Sequence, residues 1–227
     1  MQPTDSTALI HQARQLKASG NTESAADILT QIIEQDPSNA AALTILANIR
    51  QESGDYDVAA KLYQQATTAD PDYHLSWFNY GNLYLRLNQP QEAAANYRHC
   101  LNMQADYLPA MRGLANALKL LGQYGKALEI VRRILAVKPG DLNEIIELGN
   151  LTLQVGDSAA AQQLFEELYG PLPDHPQVLS GLATALRNQG DVNRAHPLFK
   201  RASDMAPGSV ATWQNLGLSW QDLDQPS

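Results

Sequence analysis

A periodicity of 34 residues runs through the whole sequence and constrains its fold more than any other feature. One column of this repeat is always alanine: Ala25, Ala59, Ala93, Ala127, Ala161 and Ala195. A second column contains only small residues: Ala13, Ala47, Gly81, Ala115, Gly149, Ala183 and Gly217. Periods of about 20–50 residues are the signature of stacked units that bury their apolar faces against their neighbours. The chain is therefore predicted to be an array of repeats covering residues 6–223.

Glycine and proline columns predict where the helices of each repeat end. The glycine column is Gly20, Gly54, Asn88, Gly122, Gly156, Gly190 and Asp224. The proline column is Pro37, Pro71, Pro139, Pro173 and Pro207, with Ala105 in the one gap. Glycine accepts the left-handed conformation that ends a helix, and proline cannot continue one. The predicted repeats are 6–39, 40–73, 74–107, 108–141, 142–175 and 176–209, with a partial repeat at 210–227.

Two helices are predicted in each repeat, in which positions are numbered from 1 to 34. Large apolar residues at positions 4, 7 and 11 join the small residue at position 8 in one stripe of a first helix. The second helix carries the alanine at position 20 and a bulky residue at position 24, so that small and large side chains meet. The prediction is an all-α solenoid of six 34-residue helical hairpins plus one extra C-terminal helix.

Three residues depart from this pattern within the second helices. Gly170 and Pro171 are expected to shorten the second helix of the fifth repeat, because neither residue favours a continuing helix. Pro197 lies several residues into the second helix of the sixth repeat. A bend or a late start of that helix is therefore expected.

Composition and charge exclude several classes of function. The net charge of −8 is the opposite of the basic footprint that nucleic-acid binding requires. No apolar run approaches the length of a membrane span, and the first residues do not resemble a secretory signal. The single cysteine, Cys100, rules out an internal disulfide bond. We expect a soluble, cytoplasmic protein that binds neither nucleic acid nor membranes.

The third repeat resembles the tetratricopeptide repeat family, whose pattern it shows as Trp77, Tyr80, Gly81, Tyr84, Ala93 and Tyr97. The resemblance covers the chain from about residue 6 to its end. It implies a right-handed superhelix whose concave groove binds extended peptides. Positions 2, 5, 6, 9 and 12 of the first helices, here called the groove positions, lie on the face opposite the core stripe. The resemblance therefore predicts a protein-interaction scaffold with a protein or peptide partner.

The charges at the groove positions run against the acidic charge of the whole chain. The basic residues there are Arg14, Lys17, Arg112, Lys119 and Arg187, against a single acid, Glu147. Such a contrast steers acidic segments towards a surface, so an extended acidic peptide is the predicted ligand. The alternative is that these long side chains are only solvated there.

Asparagine recurs at position 9 in four consecutive repeats: Asn48, Asn82, Asn116 and Asn150. Asn79 adds a fifth amide at position 6. Asparagine is a poor residue for a helix interior, and its amide both donates and accepts hydrogen bonds. These residues are predicted either to bind the backbone of an extended peptide or to hold the repeats together. The two roles are compatible.

Catalysis has little support in the sequence. The five histidines show no metal-binding spacing, so no metal and no cofactor are expected. Cys100 occupies a core position and is predicted to be a packed thiol rather than a nucleophile. The chain is predicted not to be an enzyme. Two alternatives to the scaffold are the N-terminal, substrate-presenting region of a larger bacterial sulfotransferase-like or glycosyltransferase-like protein, and a self-assembling structural module.

The end of the chain repeats only the first half of a repeat. Trp213, Leu216, Gly217 and Trp220 fill positions 4, 7, 8 and 11, and the sequence stops one residue after Pro226. We therefore expect the chain to be a piece of a longer protein. Trp213 and Trp220 are expected to remain partly uncovered, and a homodimer through this C-terminal helix is a further expectation.

Overall fold

The structure is a computed structural model that describes residues 6–223, and the regular structure in this range consists of thirteen α-helices without strands. The first helices of the repeats are α1 (Ser6–Ala18), α3 (Ala40–Glu52), α5 (His74–Arg86), α7 (Leu108–Leu120), α9 (Leu142–Gln154), α11 (Pro176–Asn188) and α13 (Val210–Leu223). The second helices are α2 (Thr22–Gln35), α4 (Tyr56–Ala69), α6 (Pro90–Met103), α8 (Tyr124–Val137), α10 (Ser158–Tyr169) and α12 (Val192–Met205). None of these thirteen helices has the length and apolarity that crossing a membrane requires.

The chain divides into two compact bodies, Met1–Gly122 and Gln123–Ser227, here called the N-terminal and C-terminal bodies. Within each body, consecutive helices pack against one another as hairpins. The first helices also contact each other: α1 with α3, α3 with α5 and α5 with α7 in one body, and α9 with α11 and α11 with α13 in the other. Each body is therefore a stack of helical hairpins whose first helices form a layer. This confirms the predicted all-α, solenoid-type class.

The predicted turn column has the conformation that its residues favour. Gly20, Gly54, Gly122, Gly156 and Gly190 all have positive φ angles. Asn88 takes the same place in the third repeat with a φ of 56°, which asparagine tolerates better than most residues. The residue after the glycine donates a hydrogen bond back to the last turn of the helix. In the second repeat, the Asp55 amide donates to the Arg50 carbonyl over 2.8 Å. This bond caps the helix end.

The core joins a bulky side chain of a second helix to small residues on two first helices. In the N-terminal body, a Cβ atom on Gly81 would lie 2.8 Å from the fully buried Tyr97 ring, and one on Gly113 would lie 2.5 Å from it. In the C-terminal body, Phe165 fills the equivalent place between Gly149 and Gly181. The predicted pairing of small and large residues is confirmed. It extends to position 6 of the following repeat.

The departures at glycine and proline have different outcomes. Helix α10 ends at Tyr169 and has 12 residues, whereas α8 has 14, so the predicted shortening by Gly170 and Pro171 is confirmed. Helix α12 begins at Val192, at the same repeat position as the other second helices, and continues past Pro197. Of the two expected outcomes, the late start was wrong, and the bend stays a prediction. The Asp191 side chain accepts from the Arg194 amide over 3.2 Å and fixes the beginning of the helix, while proline removes only one helical bond.

Candidate functional site

In the C-terminal body, the groove positions of three first helices line one cavity of about 540 Å³. The lining includes Asn150 of α9, then Gln177, Ser180, Gly181 and Thr184 of α11, then Asn215 of α13. These residues occupy positions 2, 5, 6 and 9 of successive repeats. The structure therefore brings together side chains that lie far apart in the sequence. Other lining residues, among them His175 and Ser209, come from the loops that precede α11 and α13 and were not predicted.

The depth of this cavity depends on Gly181. The Phe165 ring packs directly beneath this residue, and a Cβ atom on Gly181 would lie 2.3 Å from the ring. Because Phe165 is fully buried, it cannot move aside without disturbing the core. Glycine at position 6 thus lets the core ring approach the backbone and leaves no side chain over this part of the cavity wall.

The C-terminal cavity has a mainly apolar wall in which uncharged polar side chains are set, and its lining contains no carboxylate and no basic side chain apart from the imidazole of His175. The Thr184 hydroxyl donates to the carbonyl of Ser180 over 2.7 Å and is therefore turned towards its own helix. Asn150 is exposed and Asn215 is partly buried. Amide groups that both donate and accept, set in a concave surface, match the alternating groups of a peptide backbone.

In the N-terminal body, two asparagines of the ladder accept hydrogen bonds from the core. The Tyr63 hydroxyl donates to Oδ1 of Asn48 over 2.6 Å, and the Tyr97 hydroxyl donates to Oδ1 of Asn82 over 2.7 Å. Both bonds join position 24 to position 9 of the same repeat. They therefore do not hold neighbouring repeats together, which was the structural role considered for the asparagines. The bonds use the amide oxygen and leave the amide nitrogen as the group that can donate to a ligand.

The other two members of the ladder differ. Asn116 and Asn150 are exposed, and position 24 of their repeats holds Val131 and Phe165, which have no hydroxyl group. The sequence carried a signal for this difference, because tyrosine occurs at position 24 only in the second and third repeats. The four asparagines therefore lie in two environments: Asn48 and Asn82 accept from a tyrosine hydroxyl, whereas the repeats of Asn116 and Asn150 have no tyrosine at position 24.

Not every groove position is accessible. Asn79 is partly buried, and its side-chain nitrogen donates to the Leu75 carbonyl of its own helix over 2.8 Å. Thr44 is buried and lies 2.7 Å from the hydroxyl of Ser76 in the next repeat. Ile45 and Ile146 are also buried in apolar clusters. The expectation that all groove positions point away from the core was wrong at these sites, because adjacent first helices pack against each other there.

Lys17 and Arg187, both predicted groove cations, form ion pairs with the following repeat. Lys17 Nζ lies 2.7 Å from Glu52, and Arg187 Nε lies 2.8 Å from Asp222. Both pairs join position 12 of one repeat to position 13 of the next. Glu52 and Asp222 were not predicted as partners, because position 13 is not one of the groove positions at which acids were counted. Of the remaining predicted cations, Arg14 and Arg112 are exposed and Lys119 is partly buried.

Cys100 is fully buried, and burial raises the pKa of its thiol to about 11. This environment is that of a packing residue, as predicted, because a reactive cysteine needs a stabilised thiolate.

Trp213 and Trp220 are 50% and 54% exposed, which confirms that they are partly uncovered. The Pro226 on which the end of the partial repeat was argued lies outside the described residues, as does Asp224 of the glycine column.

Paired helices of this length, recurring every 34 residues with small and bulky side chains interlocked, define a helical-repeat protein. Three family models described as "Tetratricopeptide repeat" match residues 7–39, 46–101, and 84–148 with 152–217. The last of these models alone covers more than half of the sequence. The chain belongs to the tetratricopeptide repeat family. No curated protein matches it significantly.

Solved structures of the same fold share little sequence identity with the chain. YrrB, described as a TPR protein with an unusual peptide-binding site, is 18% identical, with a TM-score of 0.73 over 83% of this chain and 97% of that chain. PilF of Pseudomonas aeruginosa is 19% identical, with a TM-score of 0.71 over 94% and 96%. PilW, described as a type IV pilus biogenesis factor, is 21% identical, with a TM-score of 0.67 over 95% and 98%. These likenesses show the fold.

Proposed function

We propose that the chain is a protein-interaction scaffold that binds an extended segment of a partner protein on the layer of first helices. The observation that carries this proposal is the C-terminal cavity of about 540 Å³, in which groove positions of three consecutive repeats converge. Its size lies within the range of ligand pockets, and it is open to a chain that crosses several helices. The peptide-binding site named for YrrB, which has a similar fold, agrees with this role.

The lining indicates that the cavity reads the backbone of the partner. Asn150 and Asn215 offer amides on the two outer helices of the cavity, α9 and α13, and Gly181 between them leaves room for the bound chain. An extended strand presents its N–H and C=O groups alternately, and an asparagine amide can satisfy either. The C-terminal body would therefore accept many sequences and select mainly for an extended, neutral stretch.

The preference for acidic segments belongs to the N-terminal body in this proposal. Arg14, Arg112 and Lys119 lie there, and Asn48 and Asn82 add amide nitrogens oriented by tyrosine hydroxyls. Each body would then offer a binding surface of its own, with electrostatic selection on the N-terminal body and backbone contacts on the C-terminal body.

A displayed library of unstructured peptides, selected on the full chain, would test the proposal. Selected peptides should lose about 5- to 10-fold in affinity for each of Asn150→Ala and Asn215→Ala, as expected for one hydrogen bond. Asn193→Ala is the matched control, because this exposed asparagine lies on the second helix α12. Circular dichroism should show unchanged helix content in all three variants.

The N-terminal contribution is tested on the same peptides by adding salt and by Arg112→Glu. Association with acidic peptides should slow in both cases, since surface electrostatics is screened by ions. Failure to recover any peptide, or selected peptides that bind Asn150→Ala and Asn215→Ala as tightly as wild type, would overturn the proposed function. Binding that is independent of salt would remove the acidic preference alone.

A further inference from the structure

Three aromatic side chains lie together on the layer of first helices in the N-terminal body. The ring of Tyr107, which directly precedes α7, meets the rings of His74 and Phe78 of α5 edge to face, with 5.3 Å between ring centres in each pair. All three side chains are partly exposed. We call His74, Phe78 and Tyr107 the aromatic subsite. Their rings give this part of the layer an apolar surface that solvent can reach.

The repeat places the aromatic subsite where the C-terminal body has its cavity. Three repeats later in the sequence, the positions of its members hold Pro176, Ser180 and Ser209, and all three of these residues line the C-terminal cavity. The aromatic subsite therefore occupies the corresponding part of the layer in the N-terminal body. Two hydroxyl groups in one body are replaced by two aromatic rings in the other, so the two surfaces suit ligands of different chemistry.

The aromatic subsite is supported by the fully buried ring of Tyr97. Phe78 packs against this ring with 6.1 Å between ring centres, and a Cβ atom on Gly113 of α7 would lie 2.5 Å from it. Because glycine has no side chain, the α7 backbone approaches the ring and leaves the surface above it uncovered. The Tyr97 hydroxyl also donates to Asn82. One buried residue thus supports the apolar and the polar part of the same surface.

The asparagines beside the aromatic subsite are oriented as hydrogen-bond donors. Asn82 lies one helical turn after Phe78 on the same face of α5. Oδ1 of Asn82 and Oδ1 of Asn48 each accept from a tyrosine hydroxyl, so the amide nitrogens are the groups that remain for a ligand. These nitrogens carry partial positive charge and require a carbonyl oxygen. A proline residue offers a carbonyl and has no N–H group, so a proline-rich segment complements a surface of donors.

The spacing of the two asparagines matches the period of a polyproline II helix. Asn48 and Asn82 both occupy position 9, on the adjacent helices α3 and α5 that contact each other. Packed helices lie about 8–10 Å apart. A polyproline II helix has three residues per turn and rises about 3.1 Å per residue, so carbonyls three residues apart lie about 9 Å apart on one side. A β-strand repeats its same-side groups at about 7 Å and about 13 Å, which fits this spacing less well.

We propose that the N-terminal body binds a proline-rich segment of a partner protein as a polyproline II helix. Its proline rings pack on the aromatic subsite, and its carbonyl groups three residues apart accept from Asn48 and Asn82. Aromatic-lined grooves recognise such segments in other folds, because a polyproline II helix is ordered before binding and loses little entropy. This inference rests on the proposed function, since it takes the layer of first helices as the binding surface, and it names the ligand of one body.

Fluorescence anisotropy with a labelled, end-blocked nonaproline peptide tests the proposal on the full chain. This probe forms a polyproline II helix and carries no charge, so the acidic preference of the N-terminal body does not affect the result. It should bind about 10-fold more tightly, or better, than a glycine–serine peptide of equal length, which is flexible. Asn150→Ala and Asn215→Ala should leave its affinity unchanged, because both residues line the C-terminal cavity.

Phe78→Ser and Tyr107→Ser should each weaken nonaproline binding by about 10-fold, through loss of the aromatic surface. Both substitutions install the residue that the C-terminal body has at the same position. Phe78→Leu keeps an apolar contact with the buried tyrosine ring and should still weaken binding several-fold. Tyr124→Ser is the matched control, because this partly exposed tyrosine begins the second helix α8. Circular dichroism should show unchanged helix content in all four variants.

Asn82→Asp tests the donor role alone. The variant keeps an oxygen for the Tyr97 hydroxyl and replaces the donating nitrogen with a second oxygen, so nonaproline binding should weaken by about 5- to 10-fold. Nonaproline that binds no better than the glycine–serine peptide, or that binds both serine variants as tightly as wild type, would overturn the inference. Library peptides without proline whose affinity depends on Asn150 and Asn215 would still support the proposed function in that case.

Discussion

The Tyr97 hydroxyl donates a hydrogen bond to Oδ1 of Asn82 over 2.7 Å, and this bond joins the centre of the core to the surface proposed for binding. Tyr97 is fully buried between glycines of two first helices, whereas Asn82 is partly exposed on one of them. The bond fixes which side of the amide faces outward. A residue that packs the repeats together therefore also orients a candidate ligand contact.

A double-mutant cycle measures this link. Tyr97→Phe keeps the ring and removes the hydroxyl, and Asn82→Ala removes the acceptor. Each change should lower the free energy of unfolding by about 1 kcal/mol, and the double mutant should lose less than the sum, since the two residues share one bond. Asn116→Ala is the control and should have a smaller effect, because Asn116 is exposed and its repeat has no tyrosine at position 24. Additive losses in urea denaturation would show that the bond contributes nothing.

A second prediction compares the same substitution at equivalent positions in two repeats. In Gly81→Ala the new Cβ lies 2.8 Å from the Tyr97 ring, and the ring cannot retreat because Gly113 closes its other side. This overpacking should destabilise the chain by about 1–3 kcal/mol. In Gly217→Ala the Cβ meets open space, so the higher helix propensity of alanine should stabilise α13 by about 0.5–1 kcal/mol. Thermal unfolding should show opposite shifts of the midpoint temperature for the two variants.

The repeat columns predict the fold because each column has one physical cause. Gly54 ends a helix, Ala47 admits a neighbouring helix, and both effects are local enough to be read from spacing. Contacts between repeats are less visible in the sequence. The Lys17–Glu52 ion pair depends on how two helices are rotated against each other, and spacing within one repeat does not contain that angle.

The residues of the candidate site that lie on one helix face were predictable from the sequence, whereas those that depend on packing between helices or lie in loops were not. Asn150 and Thr184 line the C-terminal cavity as groove positions should, because the helical period places them on the same face. Burial of Ile146 at another groove position was not predictable, since it depends on how closely α9 packs against its neighbours. The loop residues His175 and Ser209 were missed for a similar reason. Periodicity applies to helices and not to the connections between them.

The third prediction concerns the ionisation of Cys100. Burial raises the pKa of this thiol from 9.0 to about 11. Between these pH values the unfolded chain releases its proton and the folded chain keeps it. The free energy of unfolding should therefore be unaffected below about pH 9 and should fall as pH rises above it, by up to about 1.4 kcal/mol per pH unit. Denaturation at pH 8, 9 and 10 measures this slope, and iodoacetamide should label the native thiol much more slowly than the unfolded one.

Cys100→Ala is the control for that experiment, because Ala66 and Ala202 occupy the same repeat position and are fully buried. The variant should lack the slope between pH 9 and 10. Above pH 10 both proteins should lose stability, since burial also raises the pKa of Tyr63 and Tyr97 above the ordinary value of 10.0. An identical slope in wild type and variant between pH 9 and 10 would show that Cys100 is not its source.

The last prediction concerns the proline inside α12. Pro197 lies on the exposed side of a helix that runs without interruption from Val192 to Met205. Its ring nitrogen cannot donate to the Asn193 carbonyl, and the ring crowds that carbonyl. Pro197→Ala should restore the bond without removing any buried group and should raise the free energy of unfolding by about 1–3 kcal/mol in urea denaturation. Pro90→Ala is the matched control, since Pro90 begins α6, where no helical bond is missing and the fixed φ angle suits the first turn. That variant should be neutral or slightly destabilised. Equal gains in both variants would mean that proline acts through the unfolded chain and not through the helix that it interrupts.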